Sequence, residues 1–294
     1  MIQPQKASFN QKIDYQNDYG IELYIKREDV LHDEISGNKF RKLKYNLDEA
    51  KRQGKSRLMT FGGAYSNHIA AVAAAGRDYG FETIGVIRGD ELALKYQENP
   101  TLKKAMQDGM QFYFATRTQY RDKMNVVFLE KLQQQFGDFY VIPEGGTNQL
   151  AVKGCEEILT EEDEVFDFIC CAVGTGGTIS GIINSLQTHQ KALGFPALKG
   201  DFLYDDIRPY VKNQQWDLIL DYHFGGYAKV SDELRLFIKE FNQKYLITLE
   251  PIYTGKMAFG VLDLISKGKF PEKSKVLIIH TGGLQGLHSN IGEL

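Results

Sequence analysis

The amino-acid sequence predicts an α/β fold with mostly parallel sheets flanked by helices. Short β-branched runs alternate with helical stretches nearly from end to end, the pattern of strand–helix–strand units. The runs are short and continuously apolar, as expected of strands covered on both faces. Two of them lead through glycines straight into helical patterns, and in open α/β sheets strand carboxyl ends are where ligands bind.

In chain order, Glu22–Lys26 reads as a strand, and Phe40, Leu43, Leu47 and Ala50 then recur at helical spacing, so a helix with one core-facing stripe follows. Residues 58–61, 83–87 and 112–114 are the next strands, with an alanine-rich helix over 69–76 between the first two. A second block holds apolar runs at 139–142, 166–173, 216–220 and 275–279, and Leu234, Ile238 and Phe241 mark another helix. The stretch 192–215 has weak periodicity and receives no element. No internal repeat or low-complexity linker interrupts the chain.

With 294 residues, 43% of them hydrophobic, the chain can bury a sizeable core. A net charge of -3, with lysines and acids interspersed, argues against nucleic acid or an acidic membrane as the main partner. No apolar run reaches transmembrane length and residues 1–6 lack a signal-peptide core, so a cytosolic protein is expected. Cys155, Cys170 and Cys171 form no C-x-x-C pair and read as reduced, mostly buried thiols. His32, His68, His189, His223, His280 and His288 show no metal-ligand spacing, so no metal site is expected.

Four motifs carry chemistry. Lys39 lies in residues 36–42, after a strand and at the start of a helix. Gly37 lets the backbone pass close to a ligand, and the helix dipole favours a neutral amine there. Lys39 is either a reactive amine able to form an imine with a carbonyl cofactor or part of a solvated face with Arg41, Lys42 and Lys44. In residues 60–68, Ser66 is placed as an N-cap, and the free N–H groups of that helix start, at Ser66, Asn67 and His68, offer a seat for a carboxylate. Residues 171–181 contain Gly174, Thr175, Gly176, Gly177 and Thr178. Phosphate binding is the natural reading, because several N–H groups can converge on one anion and the threonines add donors. A dinucleotide turn competes, but Ile179 stands where its third glycine would fall, and no P-loop ending is present. Residues 250–256, with Tyr253, Thr254 and Lys256, and residues 280–283, with Thr281, sit at apparent strand ends. Taken together, an imine lysine, an anion seat and a phosphate loop suggest an aldehyde cofactor bearing a phosphate, and pyridoxal 5'-phosphate fits that description.

The residues that carry these motifs also resemble a known family. Residues 24–29, Gly37-Asn38-Lys39 with Arg41-Lys42, Ser66-Asn67-His68, residues 140–143 with Gly145-Gly146, Tyr253-Thr254-Gly255-Lys256 and His280-Thr281-Gly282-Gly283 resemble, in order, the D-cysteine desulfhydrase and 1-aminocyclopropane-1-carboxylate (ACC) deaminase family. The resemblance spans about residues 24–283. It implies the tryptophan-synthase-β-like fold, fold type II of the pyridoxal-phosphate enzymes, usually a homodimer. A small domain, 54–144, would be inserted in a large one formed by 1–53 and 145–294.

By position, the resemblance implies that Lys39 is the Schiff-base lysine and that Asn67 meets the cofactor's ring hydroxyl. Ser66, with Asn67 and His68, would contact the substrate carboxylate, and Ser66 could relay a proton. Gly174 to Thr178 would hold the phosphate, and Tyr253 and Tyr227 would face a small amino-acid substrate. The family's reactions are elimination from D-cysteine, giving pyruvate, ammonia and sulfide, and ring opening of ACC, giving 2-oxobutyrate and ammonia. In ACC deaminases the residue after the active-site tyrosine is acidic and pairs with the ring nitrogen. Here it is Thr254, with a second hydroxyl at Thr281, so the cofactor is expected to be a weaker electron sink and D-cysteine the better substrate.

The sequence departs from the pattern at Tyr65 (usually glutamine), Ala70 (often arginine) and Leu284-Gln285-Gly286 (usually alanine-proline). Its glycine loop is closer to threonine-synthase and cysteine-synthase relatives. A serine or threonine dehydratase is the nearest alternative enzyme. An NAD-linked oxidoreductase is the alternative of a different class, and it would need an acidic ribose ligand where only Asp201 is available. A cofactor-binding protein without turnover is a third reading.

Overall fold

The computed structural model describes residues 2–35, 37–284 and 287; Ser36, Gln285, Gly286 and His288 from the motifs above lie outside the described residues. Chain order runs β1 (Asn10–Ile13), β2 (Glu22–Lys26), α1 (Asn38–Arg52), β3 (Arg57–Gly62), α2 (Asn67–Tyr79), β4 (Glu82–Arg88), α3 (Pro100–Gln107), β5 (Gln111–Ala115), α4 (Arg117–Arg121), α5 (Val126–Phe136) and β6 (Tyr140–Ile142). It continues α6 (Gln149–Cys155), β7 (Phe168–Val173), α7 (Gly177–Asn184), β8 (Lys191–Pro196), α8 (Leu203–Ile207), β9 (Trp216–Leu218), α9 (Asp232–Tyr245), α10 (Thr254–Ser266) and β10 (Lys275–Ile279).

The strands form two sheets. One is six-stranded, in the order β1-β2-β10-β7-β8-β9, and only its β1–β2 pair is antiparallel. The other is four-stranded and wholly parallel, in the order β5-β4-β3-β6, with strands drawn from residues 57–142.

The continuous apolar runs have a direct structural cause. In β10, Val276 and Ile278 face one core with Leu234 and Ile238 of α9 and Val261 of α10, while Leu277 and Ile279 face the other with Ile179 and Ile182 of α7. Side chains alternate between the faces of a strand, so a strand with two covered faces has no polar position. Each of these four side chains is fully buried, and burial of that kind contributes about 2 kcal/mol per residue.

The stripe Phe40, Leu43, Leu47 and Ala50 of α1 is buried in the cluster that also holds Ile69, Ala71, Val72, Ala73, Ala74 and Ala75 of α2. The N-terminus of α1 reaches elsewhere. The Asn38 N–H donates to the Thr281 carbonyl (3.2 Å), just beyond β10 of the six-stranded sheet. One helix therefore ties the two sheets together, and its first turn sits where both meet.

Two strands escape the sequence reading. β8 falls in the stretch left unassigned, because Gly194 and Pro196 interrupt its pattern. Gly194 is there for packing, since a Cβ would lie 2.6 Å from both Ile179 Cδ1 and Leu218 Cδ2. β1 is polar and short, an edge strand recognisable only by its partner.

Gly37 has φ +58°, and a Cβ on it would lie 1.9 Å from the Thr281 carbonyl oxygen, a backbone atom that cannot rotate away. Gly37→Ala should therefore destabilise the protein by more than about 2 kcal/mol in urea unfolding, because both the backbone angle and the contact are incompatible with a side chain.

Candidate active site

The loops that follow β3, β7 and β10 and the first turn of α1 converge on a cavity of about 500 Å³, within the range of small-molecule and cofactor sites. Eleven of the thirteen residues singled out from the sequence line it: Lys39, Ser66, Asn67, His68, Gly174, Thr175, Gly176, Thr178, Tyr227, Tyr253 and Thr281. Gly177 sits behind the wall, where a Cβ would press on Thr147. Thr254, expected to meet a ring nitrogen, is also absent from the wall. It is wholly buried, and its hydroxyl is taken up by Glu250, donating to Oε1 at 3.0 Å and accepting from the Glu250 N–H at 3.1 Å.

Lys39 is the second residue of α1 and is only partly exposed, with Nζ 3.3 Å from Asn38 Oδ1. Burial first, and the nearby Lys42 charge second, pull its pKa down to about 7. The solvated-face alternative fails for Lys42 as well, which is 2% exposed. Its Nζ donates to the Gly145 carbonyl (2.9 Å) and the hydroxyls of Thr147 (3.2 Å) and Thr175 (3.5 Å), with no carboxylate paired to it among the described residues. Burial lowers its pKa too. Sequence reasoning passed over Lys42 as a functional residue, although three residues' spacing from Lys39 places both on one helix face.

The glycine turn opposite Lys42 is built for close approach. Gly176 caps α7 with φ +79°, and a Cβ on Gly174 would lie 3.1 Å from the Tyr253 ring. Asn38 Nδ2 donates to the Thr178 hydroxyl (2.8 Å), locking this turn to the lysine's own helix. A buried cation without a counter-ion, facing a glycine turn and two threonine hydroxyls, is the donor set a phosphate requires.

On the next wall, Ser66 caps α2 as its residue type anticipates, accepting from the Ile69 N–H at 3.3 Å. His68 is 2% exposed, and among the described residues neither ring nitrogen has a partner in good hydrogen-bond geometry, the Pro143 main chain acting on the ring only weakly. Burial, then Lys39 and Lys42, hold its pKa well below the usual value, so it is an uncharged imidazole. Buried polar atoms are rarely left unpaired, and a cavity ligand is what would satisfy them. The Asn67 amide lies against Gly283, where a Cβ would be 2.6 Å from Nδ2.

His280 is structural. Its Nδ1 accepts from the Gly282 N–H (3.2 Å), so Nε2 carries the proton and donates to the Thr248 carbonyl (2.8 Å). Burial keeps its pKa below the ordinary value.

Tyr253 and Tyr227 meet edge to face, centroids 6.1 Å apart. Burial, followed by the neighbouring Tyr227, pushes the Tyr253 phenol well above its ordinary range, so it holds its proton. Glu250, unremarked in the sequence beyond its place in the motif, is a buried carboxylate that accepts from the main-chain N–H groups of Ile252 (2.7 Å), Tyr253 (2.9 Å) and Thr254. Burial raises its pKa while these N–H groups oppose the shift.

A family model described as "Pyridoxal-phosphate dependent enzyme" matches residues 12–282. The chain belongs to that family. The enzyme is 32% identical over 284 residues to a Pyrococcus horikoshii protein named "Putative 1-aminocyclopropane-1-carboxylate deaminase", with 91% of this chain and 86% of the relative covered. It is also 32% identical to the Arabidopsis thaliana "Bifunctional D-cysteine desulfhydrase/1-aminocyclopropane-1-carboxylate deaminase, mitochondrial", covering 94% of this chain and 75% of that one. A crystal structure described as an ACC deaminase homologue superposes with a TM-score of 0.82 at 30% identity, covering 97% and 92% of the two chains. Within the pyridoxal-phosphate-dependent enzymes it thus falls in the D-cysteine desulfhydrase and ACC deaminase family, with the tryptophan-synthase-β-like fold of fold type II. This membership removes the NAD-linked alternative. No helix among the described residues is long and apolar enough to cross a membrane.

Two measurements probe the lysines. Only a neutral amine attacks an aldehyde, and with its pKa near 7 about half of the Lys39 side chains are neutral at pH 7. The rate at which cofactor-free protein takes up pyridoxal phosphate, followed by visible absorption, should therefore rise through about pH 7 and level off, whereas for an ordinary lysine it would keep rising to about pH 10.5. Lys42→Met should weaken binding of pyridoxal phosphate by about tenfold or more, the cost of a lost charge-assisted contact, and leave binding of phosphate-free pyridoxal nearly unchanged in fluorescence titrations.

Proposed function

We propose that this enzyme removes the β-substituent of a small amino acid, with D-cysteine as its substrate, consuming water and releasing pyruvate, ammonia and sulfide. The carrying observation is that Lys39, depressed toward neutrality, opens onto the same cavity as the α2 N-terminus and the Gly174–Thr178 turn. Pyridoxal phosphate bound there supplies an electron sink that weakens the bonds at the substrate's α-carbon.

The chain's own residues do the rest. Lys42, Thr175, Thr178 and the main chain of 174–178 would hold the phosphate, and Asn67 the ring hydroxyl. The substrate carboxylate would sit at the α2 N-terminus, on the N–H groups of Ser66, Asn67 and His68. Lys39 Nζ, as a free neutral amine, takes the proton from the α-carbon. Tyr253 and Tyr227 face the departing group, and a protonated Tyr253 can give its proton to the leaving sulfur.

The preference for a thiol leaving group rests on the end of the cavity where Thr281 lies. Thr254 is engaged by Glu250, and the Glu250 carboxylate is itself held by three main-chain N–H groups. A hydroxyl, that of Thr281, is then the group on the wall for the ring nitrogen. A hydroxyl stabilises a protonated pyridine less than a carboxylate does, which favours a substrate whose own leaving group is good. We take 54–144 as a small domain inserted between 1–53 and 145–294, and a homodimer as the working assembly.

Borohydride reduction of the cofactor-loaded protein should place a pyridoxyl label on Lys39, and Lys39→Ala should lower turnover by roughly 10³-fold or more. With D-cysteine, L-cysteine, D-serine and ACC assayed side by side, pyruvate and sulfide from D-cysteine should form fastest. Faster release of 2-oxobutyrate from ACC would overturn the substrate and establish the ring-opening reading instead.

A further inference from the structure

The loop that delivers Tyr227 to the cavity is held in an unusual way. Between β9 and α9, Phe224 (φ 52°), Gly225 (φ 89°), Gly226 (φ 115°) and Ala228 (φ 57°) all adopt positive φ, and two of the four are not glycine. Such a backbone persists only where its surroundings over-determine it. Within the loop, the Gly226 N–H donates to the His223 carbonyl at 3.0 Å and the Lys229 N–H to the Gly226 carbonyl at 3.2 Å. Neither bond ties the loop to the rest of the fold.

Lys256 does. It is 1% exposed, stands in the first turn of α10, and donates from Nζ to the carbonyls of both His223 and Gly226 at 2.9 Å each. No carboxylate pairs with it among the described residues. The nearest candidate, Glu250, has its oxygens engaged by the N–H groups of residues 252–254. A lysine buried without an acid partner is costly, and here its donors are spent on main-chain carbonyls some thirty residues away in sequence. One turn further along α10, Phe259 meets Phe224 edge to face, 5.0 Å between centroids. The same α10 start bears Tyr253 as its N-cap.

We propose that Lys256 is a positioning residue. Its two bonds fix the 223–228 loop to α10, so that Tyr227 from the loop and Tyr253 from the helix start face the cavity as one rigid pair. A single helical turn thereby sets both tyrosines, and Lys256 acts on the reaction through Tyr227 without touching substrate. The assignment rests on the reading that the tyrosines face the substrate. The bond lengths and burial of Lys256 stand apart from that reading.

The test uses cofactor-loaded Lys256→Met, Tyr227→Phe and the double variant. Hydrogen exchange read by mass spectrometry should show peptides over 223–229 of Lys256→Met exchanging at least tenfold faster, with peptides from α2 and β10 unchanged. In turnover, Lys256→Met should lose at least as much kcat as Tyr227→Phe, and Tyr227→Phe added to it should cost less than a further twofold. Lys256→Gln, which keeps one donor arm, should fall between wild type and Lys256→Met on both readouts, and it carries the test if the methionine variant does not fold. Unchanged exchange over 223–229, or losses that multiply in the double variant, would overturn the assignment. Full turnover by Tyr227→Phe would overturn the role of the tyrosine, while exchange would still report whether Lys256 holds the loop.

Discussion

Two lysine amines one helical turn apart, both enclosed and neither paired with a carboxylate among the described residues, are the constraint around which this molecule is arranged. Burial lowers the proton affinity of both, the Lys42 charge lowers that of Lys39 further, and the two share one cavity. An arrangement like this is stable only if the surroundings supply other acceptors or a ligand supplies negative charge. Lys42 finds a carbonyl and two hydroxyls, so its donors are engaged even without an anion. Among the described residues Lys39 has only the Asn38 amide oxygen as a hydrogen-bond partner, and burial with so little compensation brings its pKa down to about 7. The difference between two lysines three residues apart is therefore a difference in partners.

Parallel sheets make the rest of the site geometrically inexpensive. Each strand of β3, β7 and β10 ends on the same side as its parallel neighbours, so the loops that follow them open toward a common space. The α1 helix then brings the two sheets into one site. Its apolar stripe is packed against α2, next to the four-stranded sheet, while Gly37 and Asn38 rest on the Thr281 carbonyl beyond β10. Asn38 adds a third attachment, to Thr178 in the glycine turn. Any relative motion of the sheets would be felt first at Lys39, which is a reason for the tightness of this contact.

What the sequence made legible was local. Lys39 could be read because a glycine and a helix start flank it. Ser66 could be read because capping depends on the few residues around it, and the Gly174–Thr178 turn because a strand and a helix bracket it. Lys42, Glu250 and Lys256 were not legible as functional positions, for one common reason. Their partners are Gly145, the backbone of 252–254 inside a turn whose burial the sequence does not announce, and the carbonyls of residues 223 and 226. Composition and periodicity carry no record of such contacts. β8 was lost for a related cause, since Gly194 looks like a strand breaker until the side chains of Ile179 and Leu218 are seen to occupy its place.

The setting of Thr254 shows how a helix terminus redistributes chemistry. Read as a string, Tyr253-Thr254-Gly255-Lys256 offers its second residue to the ring nitrogen. In three dimensions this is the first turn of α10, where unsatisfied N–H groups and the positive dipole end attract a carboxylate. Glu250 answers that demand and takes the Thr254 hydroxyl with it. Gly255 is required because a Cβ would lie 2.5 Å from Ile238 Cδ1 and 2.8 Å from the Glu250 carbonyl oxygen. Lys256 turns away toward the loop of residues 223–226. Only Tyr253 reaches the cavity. The motif is thus one residue on the wall with three supports, while Thr281 lines the cavity from another strand end. With Thr281 at the cofactor's ring, as proposed, electron withdrawal would be governed by the loop after β10, and that loop rests on the same Gly37 contact that sets the start of the helix carrying Lys39.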